Sequence, residues 1–231
     1  FFQSAGVDTI SGSTLKGGAG NDSILIQAMS AGAVQSGLIE GGAGNDTITI
    51  TDLQAHGSAG AIGSTVVGGA GADSLTISAV GGVGGGASAH FSFGAFSEST
   101  LSAMDTLTFN TAAISADGDA LYASSKIHVY AGMGLNTGVS GAGAVGQVSA
   151  SGGFVVFSGY SDNSLTARVS AIDAGYTTTG DFAVFTTNNT TRYLFVQGGT
   201  TDLVARLSDE DSLSAGLVAI TKSGNSIGFG Y

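Results

Sequence analysis

Asp22, Asp46 and Asp73 each close a glycine-rich hexapeptide: GGAGND at 17–22, GGAGND at 41–46 and GGAGAD at 68–73. Three glycines in six residues let the backbone take φ > 0 and turn sharply without a Cβ clash. Such a turn points several carbonyl oxygens to one side, and the closing aspartate adds a carboxylate at the same rim. Oxygen donors that are partly backbone and partly carboxylate suit a hard cation. Ca²⁺, which takes about 6–8 oxygens at roughly 2.3–2.6 Å, fits best. One turn cannot supply six ligands, whereas two turns stacked about 4.8 Å apart in a parallel sheet can hold one ion between them. Stacked carboxylates repel when unpaired. A tight turn alone has no need of the same aspartate three times, and a cation explains why the charges are tolerated.

The elements that must position these aspartates repeat with them. The units read TLK-GGAGND-SILI, LIE-GGAGND-TITI and TVV-GGAGAD-SLTI, with aspartate spacings of 24 and 27. A weaker copy, QSAGVD-TI, puts Asp8 in register ahead of them, and TLSAMDTLTF at 100–109 keeps Asp105 but loses the glycines. Each unit predicts strand, tight turn, strand, then a loop of variable length. Alternation with period two puts Ile24, Ile26, Ile48 and Ile50 on one face. One unit cannot bury that face alone, so successive units must stack, which is the logic of a solenoid. VGGVGGGASAHFSFGAF at 80–96 is the largest insertion and either loops out or changes the register.

After about residue 110 the hexapeptide is gone. GGFVVFSGY, LTARVSAI, DFAVFTT, TRYLFVQGG and DLVARL read as strands rich in Val, Phe, Tyr and Thr. Ser208 and Asp211 in SDEDSLSAGLVAI predict the N-cap of one short helix. The expected fold is all-β: a parallel β-roll or β-solenoid over 1–110 with calcium-binding turns on one edge, then a β-rich C-terminal assembly or secretion-associated cap over 111–231.

The hexapeptides with their following residues, GGAGNDSIL, GGAGNDTIT and GGAGADSLT, resemble the calcium-binding nonapeptide of RTX (hemolysin-type) proteins, G-G-x-G-x-D-x-U-x with U a large apolar residue. The resemblance covers about a third of the chain. It implies a parallel β-roll with Ca²⁺ between successive turns, type I secretion and folding outside the cell. By that resemblance, one ion takes Gly18, Gly20 and Asp22 from one turn and Gly41, Ala43 and Asp46 from the next. A second takes Gly42, Gly44 and Asp46 with Gly68, Ala70 and Asp73. A further site takes Ser4, Gly6 and Asp8 with Gly17, Ala19 and Asp22. The usual pattern alternates nonapeptides on both edges, and here only one edge carries them. One-edged repeats rich in Ser, Thr, Ala and Gly look most like bacterial surface-layer proteins, and RYLFVQGG followed by TTDLVARLSDEDSL looks like the C-terminal region of type-I-secreted surface proteins.

Composition narrows the function further. Lys and Arg number 6 against 17 Asp and Glu, a formal net charge of −11. That balance argues against nucleic acid, which demands basic patches. Charged residues are only 10%, against about 25% in an ordinary soluble domain, so much of the surface is expected to face neighbours. Glycine fills 40 positions without proline, which excludes collagen, and without cysteine no disulfide or thiolate site is possible. No apolar run approaches the roughly 18 residues of a membrane helix. The opening FFQSAG, without Met or a basic region, fits a mature product or a fragment.

Other motif matches carry little. GAGAVG at 141–146 fits GxGxxG without a surrounding βαβ pattern. GNSIG at 224–228 fits the hydrolase elbow but has no histidine after it, since the last is His128. His56, His90 and His128 form no HExxH pair and are expected in loops or on the surface. Asp117, Asp119, Asp209, Glu210 and Asp211 are expected in solvated turns and at a helix start.

The expected function is a secreted, calcium-stabilised structural protein, not an enzyme, that self-assembles into a surface layer or extracellular filament. The other class is an RTX export and folding domain of a secreted hydrolase or toxin whose catalytic domain lies outside this chain. The partner is the chain itself, head-to-tail through Phe1, Phe2 and the closing IGFGY, with cell-surface polysaccharide a further candidate. Neither nucleic acid nor membrane insertion is expected.

Overall fold

The computed structural model describes residues 10–12, 14–26, 34–35, 37–51, 62–78, 87–109, 126–129, 148–151, 154–157, 164–187, 191–209, 219–223 and 226–230. In the first unit β1 (Ile10–Ser11) and β2 (Thr14–Ala19) precede the turn and β3 (Ser23–Ile26) follows it. The second unit has β4 (Val34–Gln35), β5 (Leu38–Ala43) and, past the turn, β6 (Thr47–Thr51). The third has β7 (Ile62–Ala70) and β8 (Ser74–Ser78). A fourth, built without the hexapeptide, runs from β9 (Ala87–Phe93) through a 3-10 turn at Phe96–Glu98 to β10 (Thr106–Phe109). Then come β11 (Lys126–Val129), β12 (Val148–Ser151), β13 (Phe154–Phe157), helix α1 (Leu165–Gly175), β14 (Phe182–Thr186), β15 (Arg192–Val196), β16 (Leu203–Asp209), β17 (Ala219–Ser223) and β18 (Ser226–Gly230).

Among the described residues the structure is all-β apart from α1 and the 3-10 turn, and the repeated units pair in parallel. Strands entering the turns line up as β2-β5-β7-β9-β11 in a seven-stranded sheet, closed by the antiparallel β18 and β17. Strands leaving them line up as β3-β6-β8-β10-β16, and β15, β14, β13 and β12 extend that sheet to nine. The insertion at 80–96 therefore does not loop out entirely, because Ala87–Phe93 is a strand parallel to β7. A two-stranded parallel pair, β1 with β4, stands beside them.

Register follows from burial. Ile24, Ile48, Leu75, Leu107 and Leu207 are successive partners across the nine-stranded sheet. All are buried in one core with Ile39, Val66, Phe91, Phe93 and Ile127 of the other sheet. A slip of one residue would turn the whole apolar row to the opposite face, and burying each such side chain contributes about 1.5–3 kcal/mol. The alternation of SILI, TITI, SLTI and TLTF thus fixes which atoms meet at the turns.

The segments FAVF, YLFV and LVA are apolar throughout because both faces of their strands are covered. Phe182, Val184, Leu194, Val196, Leu203 and Ala205 enter the inter-sheet core. Ala183, Phe185, Phe195 and Val204 pack on the other side with Val169, Ala171, Ile172 and Tyr176.

LTARVSAI is accordingly not a strand but most of α1. Leu165, Val169, Ile172 and Tyr176 recur at helical spacing, and Ser164 Oγ caps the start by accepting the Ala167 N–H at 3.2 Å. Ser208, expected to cap a short helix, instead ends β16 with Asp209, paired with Thr108 and Phe109, and residues 210–218 of that expected helix lie outside the described residues. Among the described residues no helix is long and apolar enough to cross a membrane.

Candidate metal centre

Half of each hexapeptide is strand, because β2, β5 and β7 run on through Ala19, Ala43 and Ala70. The bend is confined to Gly20–Asp22, Gly44–Asp46 and Gly71–Asp73. The glycines serve different ends, which corrects the expectation that all three are there for φ > 0. Only the second and third of each set have positive φ, as Gly42 (+120°) and Gly44 (+128°) illustrate. The first is required by crowding. A Cβ on Gly17 would lie 2.6 Å from the Gly41 carbonyl oxygen and 2.8 Å from Asp22 Oδ2. A Cβ on Gly41 would collide with Asp46 Oδ2 and lie 2.6 Å from the Gly68 carbonyl oxygen.

The aspartates form a continuous ladder. Asp46 Oδ1 accepts the Asp22 N–H at 2.8 Å, Asp73 Oδ1 the Asp46 N–H at 2.7 Å, and Asp105 Oδ1 the Asp73 N–H at 2.8 Å. A shorter amide ladder runs beside it: Asn21 Oδ1 accepts from Asn45 N–H at 2.8 Å and Asn45 Oδ1 from Ala72 N–H at 3.0 Å. The repeated aspartate therefore has a structural task that the sequence reading did not foresee, satisfying a backbone donor of the preceding unit. Asp105 takes its place as the fourth rung, as its register suggested.

One oxygen of each carboxylate remains. Oδ2 of Asp22, Asp46, Asp73 and Asp105 is buried and has no hydrogen-bond partner. Asp46 and Asp73 are 2% exposed and Asp105 is 0% exposed. Beside Gly17 the orphan Asp22 Oδ2 shares its space with the Gly41 carbonyl, and beside Gly41 the orphan Asp46 Oδ2 shares its space with the Gly68 carbonyl. A buried carboxylate oxygen with no donor is costly unless it carries a proton or meets a cation.

The donor set is all oxygen, and it fits a hard cation such as Ca²⁺. Two of the expected carbonyl ligands are partly committed: Ala43 O accepts the Gly20 N–H at 2.7 Å and Ala70 O the Gly44 N–H at 2.8 Å. Asp46 and Asp73 likewise each have Oδ1 engaged by a backbone N–H, which leaves Oδ2 of each for an ion. Gly18 O and Gly20 O stack against Gly42 and Gly44 of the next unit. Among the described residues no three carboxylate or imidazole side chains converge on one point, so the coordination sphere would draw heavily on backbone carbonyls.

Ser4, Gly6 and Asp8 lie outside the described residues, as do His56, Asp117, Asp119, Glu210, Asp211 and GAGAVG. Gly17, Ala19 and Asp22, the other half of that third site, lie on the first described turn. His90 and His128 sit in β9 and β11 rather than in loops, and Ser226 opens β18.

Sequence reasoning missed Glu98 and Ser99 altogether. Ser99, fully buried, accepts the Asp105 N–H at 2.9 Å and donates to Val204 O at 2.6 Å, tying the fourth rung to β16. Glu98 Oε2 accepts the Gly94 N–H at 2.7 Å. Its carboxyl is held above the usual range, mainly by burial, with the charges of Asp73 and Glu40 adding and bonds from the Gly94 and Ala95 backbone opposing. The signal that could have found it is an acidic residue within FSEST, where the glycine turn should stand.

Burial also raises the Asp73 carboxyl, and it pushes Asp105 up to about 8, with Asp73 and Glu98 adding to the effect and the bond from Asp73 N–H opposing it. A folded-state pKa above the unfolded one means that the native chain keeps a proton the unfolded chain has lost. That contribution is full below about pH 4 and disappears as pH rises towards about 8. In chelator, the urea midpoint is therefore expected to fall between about pH 5 and about pH 8. A midpoint that rises across that window would contradict the buried, unpaired state of these carboxyls.

No family model matches the chain, and comparison with curated proteins finds no relative.

Proposed function

We propose that this chain is a secreted, calcium-stabilised β-solenoid of the β-roll kind that assembles with copies of itself into a surface layer or filament, and that it is not an enzyme. The observation that carries the calcium reading is the row of buried Oδ2 atoms without donors, two of them beside a backbone carbonyl of the next unit. Ca²⁺ at those points would neutralise stacked carboxylates and tie each turn to the next. Asp46 would serve both ions of the row, sharing one with Asp22 and the other with Asp73. The charge-poor composition, 10% charged residues, supports extensive contact with neighbours.

Head-to-tail contact is the arrangement proposed, since heterologous contacts build open filaments or sheets. The closing IGFG does not lie at a free edge: it forms β18, paired with both β11 and β17. The seven-stranded sheet instead ends at β17, and the nine-stranded sheet at β12. Phe1 and Phe2 lie outside the described residues. In electron micrographs of purified protein, extended sheets or filaments are expected with millimolar Ca²⁺ and are expected to disperse in chelator. A chain that stays monomeric at high concentration with calcium bound would instead favour the export and folding domain of a secreted enzyme.

A further inference from the structure

We infer that the outer face of β6, β8 and β10 is an ice-binding surface, a neutral grid of hydroxyl groups whose repeats in two directions match those of water molecules in ice. The inference goes beyond the structural role above and depends only on the register of the stacked units.

The grid follows from the pleat. Ile48, Ile50, Leu75, Ile77 and Leu107 point into the core, so the residues between them face outward. Those residues are Thr47 and Thr49 on β6, Ser74 and Thr76 on β8, and Thr106 and Thr108 on β10, with Thr47 exposed and the others half-buried. Thr47, Ser74 and Thr106 are partners across the strands, and so are Thr49, Thr76 and Thr108. On β3 the same two rows continue to Ser23 and then Leu25, the one departure from hydroxyl. On β16 they end at the exposed Arg206 and at Ser208.

The backbone fixes the spacing of the rows. Ser74 N–H donates to Asp46 O at 2.8 Å and Thr106 N–H to Asp73 O at 2.8 Å, directly after the aspartate ladder that ties the turns. Neighbouring strands therefore repeat at about 4.7–4.9 Å, and hydroxyls two residues apart along a parallel strand at about 6.6 Å. Among the described residues α1 packs on the outer side of β13–β16, and no helix or strand packs on that of β6, β8 and β10.

Charge and composition select the occupant. The chain carries a formal charge of −11, yet none of it stands in these two rows on the three strands. A neutral face fits a neutral partner, because no charge has to be desolvated. Protein interfaces are enriched in aromatic residues, Met and Arg and depleted in Ser, the reverse of what is found here. A sugar polymer would call for aromatic rings to stack on, and the grid has none. Ice presents oxygens that repeat in two directions at spacings close to those of the grid. A threonine hydroxyl can take the place of one of its waters, and β-branching holds that hydroxyl stiffly about χ1.

The test is the growth of single ice crystals in solutions of the full chain with millimolar Ca²⁺, read as crystal shape and as the gap between melting and growth temperatures. The unsubstituted chain is expected to facet the crystals and open a gap. Thr76→Lys, at the centre of the grid, and Thr49→Lys, one strand away, are each expected to abolish it. Both positions are at the surface, where a lysine can keep its charge in water, and an unchanged circular dichroism spectrum checks the fold. Thr65→Lys places the same charge on the outer face of the other sheet, between Leu38 and His90, and is expected to leave the gap intact. A folded, calcium-loaded chain that neither shapes ice nor opens a gap would overturn the inference while leaving the calcium reading standing. A gap that survives in Thr76→Lys and Thr49→Lys, or that is lost equally in Thr65→Lys, would overturn it as well. Retention on crystalline cellulose or chitin without any effect on ice would assign the face to polysaccharide instead.

Discussion

Chelating calcium is expected to remove most strand structure from residues 14–109. Without the ion, the Oδ2 atoms of Asp22, Asp46, Asp73 and Asp105 have neither donor nor counter-charge, and each such buried group costs about 1–3 kcal/mol or more. Ordering 40 glycines adds a large backbone entropy term. A ligand bound by the native state alone stabilises it by about 2.7 kcal/mol per site at one hundred times Kd. Two or three sites then amount to a large share of the roughly 5–15 kcal/mol that holds a domain together. The strands around α1 have a second core of their own, with Phe185, Phe195, Ile172 and Tyr176, and are expected to resist longest. Hydrogen exchange in chelator should accordingly expose the amides of Asp22, Asp46 and Asp73 before those of β14 and β15. A β spectrum and exchange pattern unaffected by chelation would contradict the dependence.

Substituting Gly42 by alanine is expected to be among the most damaging single changes in the chain. Gly42 sits in the middle unit at φ +120°, where L side chains are strained, and its new Cβ would fall on the Gly18 carbonyl oxygen, a backbone atom with no room to yield. Strain of about 1–3 kcal/mol and overpacking of about 1–3 kcal/mol act together here. Gly12, at φ +61° with nothing within 4 Å, provides the comparison: alanine there meets only the backbone penalty, about 1–2 kcal/mol. Urea midpoints in millimolar Ca²⁺ check the contrast. Equal, small losses at the two positions would mean that successive turns do not stack closely.

Much of this arrangement was legible in the repeat. Period-two alternation in SILI, TITI and SLTI put Ile24, Ile26, Ile48 and Ile50 inside, and TLTF extended the row to Leu107 because the pleat leaves no other way to bury it. The strand at 87–93 was obscured by its glycine-rich approach, and α1 was obscured because Val169 and Ile172 are β-branched residues in a short segment. Their spacing with Leu165 and Tyr176 was the better guide. In the turns, the need for aspartate could be read but its division of labour could not. One oxygen serves a backbone N–H of the preceding unit, and a sequence carries no sign of which oxygen is left over. Glu98 and Ser99 escaped notice because they act where the repeat is broken, and a search by similarity to the intact unit passes over them.

The central claim is that hard cations lie between successive turns, and crystals grown in millimolar Ca²⁺ test it most directly. Anomalous difference maps at long wavelength are expected to show one peak between residues 17–22 and 41–46 and another between 41–46 and 68–73. Each is expected within about 2.3–2.6 Å of the remaining carboxylate oxygen of the aspartates it joins. Maps with no peak at either position, the carboxyl oxygens instead donating protons to the Gly41 and Gly68 carbonyls, would contradict the account.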